Sequence, residues 1–182
     1  DWVNIDNGMN FKNFGEIDFS CDLRYGIPCD DNLVHFIFHE HLIEHLSRSE
    51  ALEFTRTCRN KLRPGGVLRI AYPDLDISIK NYQNNYPDFD WYYKIYPERR
   101  NLTNGEIFNL NLRENGLHKH IYNKNDIKKL LLESGFQEED IEFYSPGESR
   151  RPELQHIEKR EFSVCVECVK HPAESLKDII RS

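Results

Sequence analysis

The sequence lacks several features that would place a protein in a special class. No apolar run approaches the roughly 20 residues that a membrane-crossing helix needs, and neither a signal-peptide pattern nor an internal repeat is present. Lys and Arg form no long runs, and the formal net charge is −7. A non-specific nucleic-acid binder needs a basic surface that releases counterions from the phosphates. We therefore expect neither a membrane nor nucleic acid as a partner.

Disulfide-type cysteine spacing is also missing. The five cysteines are an odd number and do not follow the spacing of small secreted proteins, so we expect reduced thiols in a cytoplasmic protein. A chain of 182 residues is long enough to bury a substantial core. We expect one domain over residues 1–182 with an aromatic-rich insertion at about residues 77–123. The sequence does not indicate an oligomeric state.

The clearest structural pattern lies between residues 33 and 76. Residues 33–38 are apolar except for His35, which is typical of a strand covered on both faces. Ser47-Arg48-Ser49-Glu50 is a capping box that predicts the start of a helix, and Pro64-Gly65-Gly66 predicts its end. Residues 67–72 form a second apolar run. The pattern predicts a parallel strand–helix–strand unit, whose helix has an apolar face of Ala51, Leu52, Phe54, Thr55, Cys58 and Leu62.

Shorter elements are predicted on both sides of this unit. Residues 2–6 form a strand that ends on Asp6, and the alternation of residues 17–22 is typical of a half-buried strand that ends on Asp22. A helix is expected at residues 124–134 with Gly135 as its cap, followed by strands at residues 141–144 and 161–169. The alternation of helices and strands predicts an α/β fold with an antiparallel edge.

Two sequence motifs suggest a metal. His41-Leu42-Ile43-Glu44-His45 matches the H-x-x-E-H motif, and on an α-helix His41 and His45 would face one way with Glu44 beside them. A zinc hydrolase is therefore an alternative prediction, although no third ligand stands out downstream. Cys165 and Cys168 are three apart on a predicted strand and would point to opposite faces, so we interpret them as buried structural residues. We assign no metal ligands.

Taken together, five stretches resemble one known family in the family's order. The chain resembles class I S-adenosylmethionine-dependent methyltransferases, in particular the small methyltransferase-like, type 11-related group. LRPGG followed by an apolar strand is moderately specific, and the order of all five strengthens it. The stretches are WVNID, CDLRYGIPCDDNLVHFIFHEHLIEHL, LRPGGVLRIAYPDL, HKHIYNKNDIKKLLLESGF and PELQHIEKREFSVCVECVKHP.

The resemblance implies a fold, a cofactor and cofactor-binding residues. The fold would be a Rossmann-like methyltransferase sheet, mostly parallel with an antiparallel last strand, and the cofactor S-adenosylmethionine. Asp6 would accept hydrogen bonds from the ribose hydroxyls, and Asp22 with Leu23 would lie at the adenine. His39 and Glu40 would lie at the carboxyl edge, where open α/β sheets bind ligands.

The resemblance also implies an activity. The chain would transfer a methyl group from S-adenosylmethionine to a small-molecule or glycan-like acceptor, with His41 and His118 as candidate bases. The aromatic residues between Tyr82 and Tyr96 would form a lid over the substrate. In the family, the first strand and its glycine-rich loop precede the segment that begins at Asp1, so we expect about 20 or more residues upstream. A non-catalytic methyltransferase-like binding module is an alternative.

Overall fold

The structure is a computed structural model, and it describes residues 2–6, 17–85, 97–160 and 162–172. Its architecture is mixed α/β. Among the described helices, none combines the length and the apolar character that crossing a membrane requires.

A four-stranded sheet forms the centre of the molecule. Its strands are β3 (Val34–Glu40), β4 (Leu62–Tyr72), β5 (Ile141–Tyr144) and β6 (Val164–Val169), in the spatial order β3-β4-β6-β5. β3 and β4 are parallel, whereas β6 is antiparallel to both of its neighbours. The expected sheet with an antiparallel last strand is thus present in this part of the fold.

Four α-helices within the described ranges accompany this sheet: α1 (Arg48–Lys61), α2 (Leu75–Gln83), α3 (Asn104–Arg113) and α4 (Lys124–Glu133). The predicted capping box opens α1, because Ser47 Oγ accepts from the Glu50 amide while Glu50 accepts from the Ser47 amide. α4 ends as predicted at Gly135, which has a φ of 94°, a conformation that suits glycine. The buried face of α1 and that of α4 pack into one core with β4 and β6, through Ala51, Phe54, Cys58, Ile127, Leu130 and Leu131.

A second, two-stranded sheet consists of β1 (Ile5–Asp6) and β2 (Phe19–Ser20), which are parallel. The prediction of a half-buried strand is wrong here, since both residues of β2 are exposed and Phe19 is 55% exposed. Within the described ranges, no element covers this apolar side chain, and β3 is the edge of its own sheet. The strand expected upstream of Asp1 stays a prediction.

Several boundaries differ from the sequence-based prediction. α1 ends at Lys61, and Leu62 begins β4 instead of belonging to the helix face. Pro64-Gly65-Gly66 consequently lies inside β4, where the Gly65 amide donates to Lys170 O at 2.7 Å. β3 extends to Glu40, two residues beyond the predicted end. The reason is that pairing with neighbouring strands satisfies the backbone groups of these residues. Most of the aromatic segment, residues 86–96, lies outside the described residues, as does Glu161.

A charged cluster, the Arg69 cluster, is buried beside the sheet and consists of Arg69, Arg151, Glu158 and Glu167. Arg69 donates to Glu158 and to Glu167, and the side chains of all three are at most 1% exposed. Arg151 donates to the other oxygen of Glu167 at 2.9 Å, and the Gly147 amide donates to Glu158 at 2.9 Å. Two cations therefore balance two carboxylates, which is the condition for burying charge.

Candidate functional site

The turn after β3 brings together several residues that the sequence suggested as functional. His41 has a φ of 50°, in the left-handed region that is uncommon for a residue other than glycine, and a short 3-10 helix follows at Ile43–His45. The α-helix that the H-x-x-E-H motif requires is therefore absent, and that prediction is wrong. The left-handed turn at His41 breaks the helical geometry, so His41 and His45 do not share a helix face.

His41 is a partly buried histidine at the start of this turn. Its Nε2 and Ser163 Oγ form a 2.9 Å hydrogen bond, and the Phe162 ring packs edge-on against it at 5.4 Å between centroids. Its Nδ1 lies 3.3 Å from Glu44 Oε1. Burial, followed by the charge of Arg160, lowers the pKa of His41 to about 3. The ring is consequently neutral at physiological pH.

Glu44 is an almost completely buried acid, with a side chain that is 1% exposed. Neither of its carboxylate oxygens has a hydrogen-bond partner, since the approach of His41 satisfies only the ion-pair distance. Burial raises the pKa of Glu44 to about 7. Its backbone carbonyl, in contrast, accepts from the amides of Lys119 at 2.8 Å and His120 at 3.2 Å, which fixes the turn against the loop that precedes α4.

Two histidines and a second acid complete what we call the Glu44 cluster, which is Glu44, His45, Glu114 and His118. The rings of His45 and His118 lie 4.9 Å apart between centroids. Glu114 Oε2 is 3.0 Å from His118 Nε2 and 3.7 Å from His45 Nε2. Burial alone would lower the pKa of His118, but its hydrogen bond to Glu114 and the charges of both acids raise it. Burial and the charge of His118 lower the pKa of His45.

An open groove of about 720 Å³ adjoins the Glu44 cluster. One face of α3 and the turn that follows it form the walls. The lining residues are Leu102, Glu106, Asn109, Leu110, Arg113, Asn115, Gly116 and His118. Two leucines supply the apolar part of these walls, and the other side chains of the lining are polar or charged.

The first three cofactor-binding candidates lie at the carboxyl end of the two-stranded sheet. Asp6 is the last residue of β1, and its carbonyl accepts from the Cys21 amide at 2.9 Å, which brings Asp22 close. The Asp22 carboxylate binds Arg24, whose Nε donates to it at 2.9 Å, and this hydrogen bond lowers the pKa of Asp22. Leu23 packs against the core. The Asp22 carboxylate thus has a partner within its own turn.

The other two candidates end β3 and have mainly internal contacts. His39 is 8% exposed, lies 5.4 Å from the Phe54 ring between centroids and has no hydrogen-bond partner on either ring nitrogen. Burial lowers its pKa to about 3. Glu40 accepts from the amides of Lys159 at 3.1 Å and Arg160 at 2.8 Å. In the structure Glu40 therefore fastens the segment before β6 to the end of β3.

Sequence reasoning assigned no role to Glu114 and did not connect His45 with His118. The sequence did contain a sign of the role of Glu114, because it precedes His118 by four residues, a spacing at which an acid and a histidine can pair. The second contact joins residues 73 positions apart, and the sequence contains no local sign of it. Ser163, the partner of His41, was also missed.

The comparisons with known proteins concern the fold. No protein-family model matches the chain, and no curated protein matches it. Among solved structures, a SAM-dependent methyltransferase from Archaeoglobus fulgidus has a TM-score of 0.54 and 14% identity over 92% of this chain and 75% of that one. An O-methyltransferase family protein from Burkholderia thailandensis has a TM-score of 0.51 and 13% identity, over 87% and 37%. A SAM-dependent methyltransferase from Thermotoga maritima has a TM-score of 0.50 and 13% identity, over 85% and 64%.

Identities this low establish a likeness of fold alone. The chain spans less than two thirds of the length of several structures that it matches. The described residues thus have a methyltransferase-like fold, with the Glu44 cluster and the two candidate aspartates at carboxyl ends of parallel strands.

Proposed function

We propose that the protein is an S-adenosylmethionine-dependent methyltransferase that acts on a small-molecule or glycan-like acceptor. The observation that carries the proposal is the methyltransferase-like fold, with acids at the carboxyl ends of its parallel strands. In open α/β sheets this edge binds ligands. The five free cysteines accord with a cytoplasmic enzyme.

Each cofactor-binding candidate has a stated role in this proposal. The exposed Asp6 would accept two hydrogen bonds from the ribose diol. Leu23 would contact the adenine ring. Asp22 would accept a hydrogen bond from the adenine amine, with the carboxylate lone pairs that Arg24 does not use. His39 and Glu40 would shape the rim of the site, because their own polar groups are buried or bound to backbone amides.

Methyl transfer depends mainly on position. The sulfonium methyl and the acceptor atom must lie in line at near-contact distance, which a groove beside the cofactor site can enforce. The groove along α3 is the proposed acceptor site, and a hydroxyl acceptor would lose its proton to a nearby base. His118 lines this groove and His41 contacts Glu44 behind it, so these two histidines are the proposed bases.

Calorimetry with S-adenosylmethionine tests the cofactor part of the proposal. We expect the full-length protein to bind one equivalent, and Asp6→Asn to weaken binding by about 10- to 100-fold, the effect of a lost hydrogen bond to a charged group. Asp30→Asn, which removes an exposed carboxylate of a turn, should leave the affinity unchanged. Absence of binding by the wild-type protein would contradict the proposal.

Transfer of a radiolabelled methyl group to a panel of small hydroxyl and amine compounds and short oligosaccharides tests the acceptor class. His41→Asn and His118→Asn should each lower the rate of transfer by about 100-fold or more if that histidine is the base. Cofactor binding without transfer to any acceptor would favour the alternative, a binding module without catalysis.

A further inference from the structure

We infer that Glu44, His45 and His118 form a binding site for one divalent first-row transition-metal ion, with Glu114 beside it as a further carboxylate. One ligand atom from each of the three residues lies within 4.8 Å of the other two. Ligands at about 2.0–2.1 Å from a shared ion can be no more than about 4.2 Å apart. Small side-chain rotations therefore complete the site. The inference concerns metal binding alone and does not depend on methyl transfer. In a metal-bound protein His118 would have no nitrogen left to accept a proton, so His41 would be the remaining candidate base.

The backbone orients both imidazoles for coordination. His45 Nδ1 lies 3.3 Å from the Leu117 carbonyl oxygen, and His118 Nδ1 lies 3.0 Å from the Asn111 carbonyl oxygen. A carbonyl oxygen only accepts, so each Nδ1 carries the proton and donates it. With both Nδ1 atoms bound in this way, Nε2 is the ring nitrogen left for a metal, and the two Nε2 atoms lie near the same oxygen of Glu114. Without a metal, the Nε2–H of His118 donates to that oxygen, and a metal would take the place of this proton. Metal-binding histidines characteristically donate their other ring N–H in this way.

The two carboxylates of the cluster would be stabilised by a bound cation. Glu44 places a carboxylate with no hydrogen-bond partner in the interior, where an unpaired charge is strongly unfavourable. Glu114 adds a second carboxylate within 3.7 Å of both Nε2 atoms. An ion bound between these side chains would pair both acids.

The ligands come from two segments that the backbone holds together. The Lys119 and His120 amides donate to the Glu44 carbonyl, which places His118 opposite the Glu44–His45 turn. Glu114 and Asn115 have φ values of 38° and 56°, so two adjacent residues other than glycine occupy the left-handed region. Such conformations are unfavourable for residues other than glycine and are concentrated at functional sites. The fold thus maintains an unfavourable local geometry around these side chains.

The donor atoms decide the class of ion. Two imidazole nitrogens with carboxylate oxygens suit zinc, manganese, iron or cobalt, whereas magnesium and calcium prefer oxygen donors alone. Three protein ligands leave coordination positions open for a small molecule, as in catalytic rather than structural sites. His118 also lines the groove along α3, so an ion here would be accessible from that groove.

Titration of the metal-free protein with ZnCl₂ tests the site directly. The protein is used without a histidine tag, after treatment with a chelator and dialysis. Calorimetry should give one bound zinc per chain, and Glu44→Gln, His45→Asn and His118→Asn should each weaken binding by at least about 10-fold. His120→Asn is the matched control, since it removes a histidine of the same loop that is not part of the cluster, and it should bind zinc like the wild type.

Two further measurements keep the test decisive if a variant fails to fold. In the wild-type protein, zinc should shift the ring nitrogen NMR signals of His45 and His118 but not those of His35, which is exposed. MgCl₂ at equal concentration should not displace the zinc. Absence of stoichiometric zinc binding by the wild type would overturn the inference, as would binding that all three variants retain or NMR shifts confined to other histidines.

Discussion

The Arg69 cluster and the Glu44 cluster each contain buried carboxylates, yet their charges are arranged differently. In the Arg69 cluster two guanidinium groups face two carboxylates, and every carboxylate oxygen accepts a hydrogen bond. In the Glu44 cluster the carboxylate of Glu44 has none, and two histidines and a second acid surround the same small space. In the first arrangement both carboxylates are fully hydrogen-bonded within the fold, and only Arg69 Nη2 has no partner. The second leaves a position that a cation would fill, which indicates binding rather than structural support.

Removal of the central cation of the Arg69 cluster should have the largest effect. Arg69→Met leaves Glu158 and Glu167 buried without their common partner, so the free energy of unfolding should fall by about 3–5 kcal/mol. Urea unfolding followed by circular dichroism measures this. Arg150→Met is the matched control, because the Arg150 side chain is 75% exposed in its pair with Glu142 and the loss should be below about 1 kcal/mol. Equal losses would show that burial does not distinguish the two pairs.

His39 extends the comparison to a buried base with no charged partner. Because burial lowers its folded-state pKa from 6.5 to about 3, the unfolded chain binds a proton below pH 6.5 that the folded chain does not. Neutral His39 therefore makes its full contribution to the free energy of unfolding above pH 6.5. Below that pH the free energy of unfolding falls by up to about 1.4 kcal/mol per pH unit, which amounts to about 2 kcal/mol at pH 5. His39→Leu should lack this loss.

Urea unfolding of both proteins between pH 8 and pH 5 measures the difference. Other groups titrate in both proteins, so the quantity to compare is the difference between their free energies of unfolding. The value for the wild type should decrease relative to that for His39→Leu as the pH falls. The exposed His35, replaced by Leu, serves as the control and should follow the wild type. Parallel curves for wild type and His39→Leu would show that His39 is accessible to protons in the folded state.

The smallest effect on stability is expected at Glu44. Since its carboxylate has no hydrogen-bond partner, Glu44→Gln should change the free energy of unfolding of the metal-free protein by less than about 1 kcal/mol. The same substitution should abolish the stabilisation that zinc gives to the wild type. Thermal unfolding with a chelator and with ZnCl₂ separates the two effects. If Glu44→Gln strongly lowered the free energy of unfolding of the metal-free protein, Glu44 would be a structural residue, as Arg69 is.

The local parts of the fold could be predicted from the sequence. Ser47 and Glu50 form the capping box that their spacing indicates, and Gly135 ends α4 as its conformational freedom suggests. The antiparallel last strand is present as expected. These features depend on a few neighbouring residues, so a short stretch of sequence contains the information that determines them.

The site could be predicted only in part, for two physical reasons. The zinc-hydrolase alternative requires the stretch from His41 to His45 to be helical, but the left-handed conformation of His41 prevents this, and the sequence of the motif does not indicate that conformation. The contact between His45 and His118 depends on amide hydrogen bonds between distant segments, which sequence periodicity does not encode. The sequence placed Glu44 beside His41 and His45, and the structure has both near it, but His118 and Glu114 could not be added from the sequence.

Crystals of the protein grown with ZnCl₂ would show whether the Glu44 cluster binds a metal ion, through an anomalous difference map at the zinc absorption edge. We expect a strong peak about 2.0–2.1 Å from the Nε2 atoms of His45 and His118 and within bonding distance of a Glu44 oxygen. A map with no peak in the Glu44 cluster, or with zinc bound only at other histidines, would contradict it.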